Sequence, residues 1–447
     1  VLIIGLDCAS PRFLFGPEAF DLPNLRRLMN AGIHGRLRTC DPPITAPAWA
    51  CIASGRDPGE LGVYGFRARH NNSYGSRPVN SLDVLQPRLW DTLSAAGKRC
   101  IVLGVPLTHP VRPLRGCMAA GPLCPPDTDG ATYPRGLQKR AESAAGLYIP
   151  DVRDYRTDDK ASLLTRIREA MDNRFAWGRR LMQTESWDFF MMVDMSLDRL
   201  HHGFWRYADP AHPRHEPAHA LAQAFRLHYE TLDERIGELV ELAGTNTAVL
   251  VLSDHGARPL LGGFRINQWL LDKGWLRLKE RAASPAALDP SMVDWTRSRA
   301  WAWGGHCARI FFNVRGREPE GCIAPDALVD IKAELASALR AAPSGPTTTR
   351  AHEVLDPQTI YRQAAGFPPD LMVYCGGLDL RALGEVGRAE GDWFAEGNDA
   401  GPDDANHDPE GILIAAGGLL SSKCVGKSCS YRATTPAVLE HFGVQNK

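Results

Sequence analysis

Neither sign of charge dominates this chain. Lysine plus arginine number 51 and aspartate plus glutamate 52, for a net charge of -1. That balance lacks the basic footprint of a protein that grips nucleic acid or an anionic membrane surface. Long apolar runs are also missing: no stretch reaches the ~20 residues that a membrane span needs. Repeats and low-complexity tracts are absent, which excludes a solenoid. The 11 cysteines are odd in number and follow neither a disulfide framework nor a zinc-knuckle spacing. Reduced thiols in a cytoplasmic protein are therefore expected. The chain opens on an apolar strand with no basic leader and no cleavage site. It also opens without Met, which leaves a lost leader, and with it a secreted enzyme, as the alternative.

What is present suits a globular enzyme. Apolar residues make up 44% and charged residues 23%, ordinary for a folded domain. A length of 447 residues fits one large domain with insertions, or two domains. Oligomeric state is open, a homo-oligomer included.

Continuous apolar runs mark strands buried on both faces of a parallel sheet. They are Val1–Leu6 (VLIIGL), Arg99–Val105 (RCIVLGV), Trp187–Val193 (WDFFMMV), Thr247–Leu252 (TAVLVL) and Gly411–Ala416 (GILIAA). Helical segments alternate with them: Asn24–Asn30, Ala46–Ala53, Leu89–Ala96, Leu163–Met182 and Ala218–Leu242. The last carries apolar residues at 221, 225, 229, 232, 236, 239 and 240, a helical period. This alternation predicts an α/β fold with a mainly parallel central sheet. Two stretches break the pattern and read as inserted caps, 106–184 and 262–397. The second contains a helix expected to be capped by Asp326.

Chemistry collects at the ends of the apolar runs, where parallel sheets bind ligands. Asp7 directly follows the first. Asp198 and His202 stand four apart in DRLHH, so one helical face can present both to a single cation. Asp capping the helix with His202 on its surface is the plainer alternative. Asp254 and His255 lie in SDHG, just past a strand, where adjacent residues point in different directions. His407, in NHDPEG, precedes the last core strand. Thr45 stands before a predicted helix. It suits an N-cap, or a nucleophile beside N–H groups that would bind phosphate. Three carboxylates, three imidazoles and one hydroxyl are a parts list for two divalent cations and an attacking oxygen. The mixed N and O donors favour Zn²⁺, with Mn²⁺ as the rival.

Taken together, GLDCAS, PPITAPAWACIASGRDPGELGVYGF, LDRLHHGFWRY, VLSDHGA, INQWLLDKGWL, FFNVRGREPEG and NHDPEGILIAAG resemble a known family. It is the alkaline phosphatase superfamily, in its type I phosphodiesterase/nucleotide pyrophosphatase branch, and within it the prokaryotic phosphohydrolase/phosphomutase-like proteins. The resemblance covers nearly the whole chain. It implies an alkaline-phosphatase-like three-layer α/β/α sandwich forming a single catalytic domain, residues 1–447. It also implies a metal-dependent phosphodiesterase or nucleotide pyrophosphatase that acts on a small-molecule phosphate ester through a phospho-Thr45 intermediate. By the resemblance, Asp7, Thr45, Asp254 and His255 surround one metal, and Asp198, His202 and His407 hold the other. A phosphomonoesterase or phosphomutase on the same core is the alternative. An inactive metal-binding recognition protein is another.

Departures from the family pattern locate what is open. Eukaryotic pyrophosphatases carry a phosphate-contacting Asn shortly after the nucleophile, where Pro47, Ala48 and Trp49 stand here. Arg56 and Arg67 are candidate replacements, or surface charges. In the second cap, Trp295, Trp301, Trp303, Arg265 and Arg309 are expected to choose the substrate, with His306 among them. Two rival motifs fail on spacing. In Cys51-Ile52-Ala53-Ser54-Gly55, glycine stands where a sulfatase needs arginine. The Gly426-Lys427-Ser428 triplet has Ser421 where a P-loop needs glycine, and reads as a loop.

Overall fold

The computed structural model describes all residues except 71, 126–129, 218–219, 421–427 and 446–447. Gly426, Lys427 and Ser421 of the P-loop-like stretch, and Ala218 of the predicted helix, lie outside the described residues. The chain divides into two compact units. Unit 1 comprises residues 1–66, 79–257 and 407–447; unit 2 comprises 67–78 and 258–406.

Unit 1 is built on a nine-stranded sheet. At its centre Leu2–Leu6 pairs in parallel with Phe189–Asp194 on one side and Val249–Leu252 on the other. Cys100–Leu103 and then Gly116–Ala119 extend the parallel set. Every residue of the three central strands is buried, which is why their sequences are unbroken apolar runs. Glu410–Ala416 joins antiparallel to Val249–Leu252 and pairs with Gly32–Arg38 beyond it. The fold is thus α/β with a mainly parallel central sheet, as expected.

Both faces of the sheet are covered. Gly5 and its register partner Val193 face the Thr45–Ser54 helix, because a Cβ on Gly5 would stand 2.3 Å from the Trp49 ring and 2.8 Å from Val193. Met192, one residue earlier and so on the opposite face, meets Gly178 of the Lys160–Thr184 helix. That helix packs with Ser196–Ala208 and Ala220–Ala243, while Thr45–Ser54 packs with Leu89–Ala95 and Thr434–His441.

Residues 106–184, read from sequence as a cap, lie in unit 1. Gly116–Ala119 and Thr132–Tyr133 join its sheet, and the Lys160–Thr184 helix packs on it. Four residues, GCMA, with no β-branched member leave no periodic signal amid the prolines.

Unit 2 holds a four-stranded antiparallel sheet, ordered Ala300–Trp303, Ala308–Phe312, Leu371–Tyr374, Glu353–Leu355. Its core gathers Phe264, Trp269, Trp295, Trp301, Phe311 and Leu335. The helix expected to be capped by Asp326 starts at Leu328 instead. Asp326 lies in a preceding 3-10 turn, Pro325–Ala327, and no side chain caps the helix.

Candidate active site

Three neighbouring strands deliver the acids. Leu2–Leu6 runs straight into Asp7. Phe189–Asp194 leads into the Ser196–Ala208 helix, whose first turn holds Asp198 and whose second holds His202. Val249–Leu252 ends two residues before Asp254 and His255. The register sets Leu6 opposite Asp194 and Gly5 opposite Leu252, so the three carboxyl ends are level. Thr45 is the first residue of its helix. The structure brings all seven expected residues together, none more than 3% exposed.

They form two groups that touch. In one, Thr45 Oγ1 lies 3.2 Å from His255 Nε2, which stands 3.2 Å from Asp254 Oδ2 and 3.8 Å from Asp7 Oδ1. In the other, Asp198 Oδ1 is 3.4 Å from His202 Nε2 and 3.5 Å from His407 Nε2, and the two imidazole nitrogens are 3.3 Å apart. The His255 and His407 rings stack across the groups at 3.7 Å.

The plainer roles open at the sequence level do not describe these residues. The N-cap of the Thr45–Ser54 helix is Ile44, with no side-chain cap bond, so the Thr45 hydroxyl is not spent on capping. Likewise Met195 is the N-cap ahead of Asp198, and His202 is buried rather than on a surface.

Do these residues suit cations? Asp7 Oδ1, Asp198 Oδ1 and Asp254 Oδ2 are buried without a hydrogen bond among the described residues. Leaving such oxygens bare costs free energy unless a cation or donor meets them. His407 donates Nδ1–H to the Pro43 carbonyl at 2.7 Å, and His255 donates Nδ1–H to the Gly256 carbonyl at 3.0 Å. Both rings then turn an Nε2 lone pair inward, as metal-ligating histidines do. One oxygen each of Asp7 and Asp198 and one nitrogen of His255 lie within 4.8 Å of one another. The set fits two divalent cations.

Electrostatics say the same. Burial, then the charges of Asp254 and Asp198, push the Asp7 carboxyl well above its usual range. Burial and Asp198 do likewise to Asp254. Burial opposes ionisation of Asp198 too, but the neighbouring His202 and Arg199 outweigh it and hold Asp198 well below. Burial, with His407 adding to it, keeps His255 neutral, its pKa far below the usual imidazole value. Three acids crowded in a dry site repel one another, and divalent cations between them would relieve that repulsion.

The type I phosphodiesterase/nucleotide pyrophosphatase family model matches residues 1–374. The chain belongs to that family. It is a family of phosphoester hydrolases.

The fold is shared with solved structures. Phosphonoacetate hydrolase from Sinorhizobium meliloti, in complex with phosphonoformate, is 17% identical with a TM-score of 0.57, covering 98% of this chain and 94% of its own. Human ectonucleotide pyrophosphatase/phosphodiesterase 5 is 12% identical with a TM-score of 0.53, covering 100% and 95%. An inactive threonine-to-alanine variant of the murine enzyme, in complex with AMP, gives 12% and 0.54, covering 100% and 96%. No curated protein matches the sequence.

Several residues that contact the cluster give little sign of it in the sequence. Trp49 Nε1–H donates to Asp7 Oδ2 at 2.7 Å. The Cys8 N–H donates to Asp254 Oδ1 at 3.2 Å. Arg199 pairs with both Asp198 and Asp151, and its guanidinium lies 4.3 Å from the Tyr155 ring centroid. Arg199 sits beside a candidate ligand in the sequence, the only signal it gave. The others depend on contacts between distant segments.

The residues expected to read the substrate make the following contacts within their own units. Trp295 stacks on Tyr74 at 3.5 Å and Trp301 meets both edge-on, all within unit 2. Trp303 packs edge-on against Phe311 at 4.6 Å. Arg265 is paired with Glu385 and Asp392. Arg309 is buried and donates to the Arg67 carbonyl at 2.8 Å. His306 Nδ1 lies 2.9 Å from Asn406 Oδ1. Arg56 pairs with Glu60 at 3.2 Å, and exposed Arg67 donates to Ser76 at 2.7 Å. Trp295 and Trp301 belong to the core of unit 2, and Trp303 packs against it.

Proposed function

We propose that this chain hydrolyses small-molecule phosphate diesters or pyrophosphates through a covalent Thr45 intermediate, with two divalent cations. The observation that carries this is the Thr45 hydroxyl: buried, not spent on capping, and 3.2 Å from His255 Nε2 where the two ligand groups meet. Asp7, Asp254 and His255 would hold one cation beside Thr45, and Asp198, His202 and His407 the other. Bound there, the cations would acidify the hydroxyl and neutralise charge on the phosphoryl oxygens.

The chain's own residues do the rest. Thr45 Oγ1 gives up its proton to solvent and forms a bond to phosphorus in line as the bond to the leaving oxygen breaks. The first-turn N–H groups of Thr45 and Ala46 would bind a phosphoryl oxygen, whereas Pro47 has none to offer. Backbone carbonyls fix the His255 and His407 tautomers, so neither ring must reorganise during the reaction. Water then cleaves the Thr45 ester and restores the hydroxyl. The mixed imidazole and carboxylate donors favour zinc over manganese. The inactive threonine variant of the murine relative that still holds AMP supports a threonine nucleophile.

Thr45→Ala should abolish turnover of a nitrophenyl phosphodiester and leave metal content, measured by elemental analysis, unchanged. Full activity in that variant would remove the nucleophile. A phosphorus-NMR screen of metal-loaded protein against diesters, monoesters, nucleotide sugars and phosphonates would name the substrate class. Faster turnover of monoesters, or return of the phosphoryl group to substrate, would replace the diesterase reading with a phosphatase or mutase.

A further inference from the structure

One side chain stands among the ligand atoms without a role in the reaction above. Cys8 Sγ, a nitrogen of His255 and a nitrogen of His407 all lie within 4.8 Å of one another, and all three residues are buried. His255 belongs to the Thr45 group and His407 to the Asp198 group, so the sulfur sits at the seam between them. Its position is held from two sides. The Cys8 N–H is bonded to Asp254 Oδ1, and its thiol donates to the Gly256 carbonyl at 3.4 Å, the same carbonyl that orients His255.

The backbone adds an independent sign. Cys8 has φ 66°, in the left-handed region where glycine sits without steric cost and a side chain does not. Strain of that kind is kept where a side chain is needed, and sites of chemistry are where it collects.

We infer that Cys8 is a sulfur donor to the cation site, and that it biases this phosphodiesterase-family site toward thiophilic divalent cations of the zinc class over manganese or magnesium. Thiolate selects zinc and cadmium, whereas the harder ions prefer all-oxygen shells. Donors sharing one tetrahedral zinc stand roughly 3.3–3.6 Å apart, given the usual Zn–S and Zn–N bond lengths. The sulfur lies within 4.8 Å of a nitrogen of His255, on one cation's side, and of His407, on the other's, so it can close onto either cation. On binding, the S–H bond breaks, the proton leaves to solvent and the sulfur lone pair bonds the cation, while Gly256 keeps the His255 hydrogen bond. The inference rests on the reading that this site takes cations at all.

The test compares the full chain with Cys8→Ser and Cys8→Gly, the second relieving the backbone strain. Cadmium is titrated into each, with bound metal counted by elemental analysis and the ultraviolet sulfur-to-cadmium charge-transfer band recorded. Zinc and manganese affinities are measured alongside by competition. The wild type should show the band. Both variants should bind cadmium without it, and their preference for zinc over manganese should fall roughly 10-fold or more, as when a contributing group is lost. Cadmium bound to the wild type without the band would overturn the sulfur donor and leave the two-cation reading standing, as would a band that persists in both variants. No binding of zinc, cadmium or manganese by the wild type would overturn both.

Discussion

The seven-residue cluster leans on side chains outside the seven. Trp49 is fully buried and spends its indole N–H on Asp7. Trp49→Phe keeps most of the packing and deletes that bond. It should weaken zinc binding by roughly 10–100-fold, the usual cost of losing an outer partner of a ligand, read by competition with a chelating dye. An unchanged affinity would show that Asp7 needs no such orientation. Arg199 plays the same part for Asp198. It is held by Asp151 at 3.0 Å and lies under Tyr155, a geometry that needs a planar fork. Arg199→Lys should therefore weaken the cation at Asp198 while sparing the fold, and a thermal unfolding scan of the chelated protein separates the two effects. Most of the seven candidate residues were legible from sequence because they stand beside a strand end or a helix start, and His202 because it follows Asp198 by four. Trp49, Arg199 and the Pro43 carbonyl were not, because their partners come from segments far away in the chain.

Among the elements, the central strands were legible for the reason that makes them central. VLIIGL, FFMMV and VLVL are buried on both faces, and unbroken apolar sequence suits that setting. The sheet's edge was less so. GCMA carries no pattern, and the reversal of direction at Glu410–Ala416 leaves no mark in sequence. Gly5 links strand and site. It makes room for the Trp49 ring, and that ring's N–H holds Asp7. Gly5→Ala would place a Cβ inside the indole, 2.3 Å from a ring carbon. Overpacking of this kind costs about 1–3 kcal/mol. The variant should unfold at lower urea and also lose zinc affinity, because the indole must shift. Lost stability with intact zinc affinity would break the proposed link between strand packing and the site.

For the whole molecule, two buried histidines set an acid limit. Burial pushes His201 and His228 down to about 3. Each is hydrogen-bonded while neutral, His201 Nε2 at 2.7 Å from the Tyr229 hydroxyl and His228 Nε2 at 2.9 Å from Ser196 Oγ. The unfolded chain, with imidazoles near 6.5, takes up these protons first as the pH falls. Stability is then fully present above pH ~6.5 and is lost toward pH ~3, by up to about 1.4 kcal/mol per pH unit for each histidine. His228→Gln should make urea unfolding less steep in pH between 6 and 4. An equal slope would mean that His228 is not neutral in the folded chain. Cations act on the same balance. Chelation should lower the melting temperature, because a ligand present at roughly 100 times its dissociation constant adds about 2.7 kcal/mol.

The central claim is that phosphoryl transfer passes through Thr45. The stereochemical course at phosphorus tests it most directly, whatever step limits the rate. A phosphorothioate diester that is chiral at phosphorus would be hydrolysed in isotopically labelled water and the configuration of the product read by phosphorus NMR. Two successive in-line displacements, one by Thr45 and one by water, predict net retention. Net inversion would mean that water attacks directly, and would contradict the account.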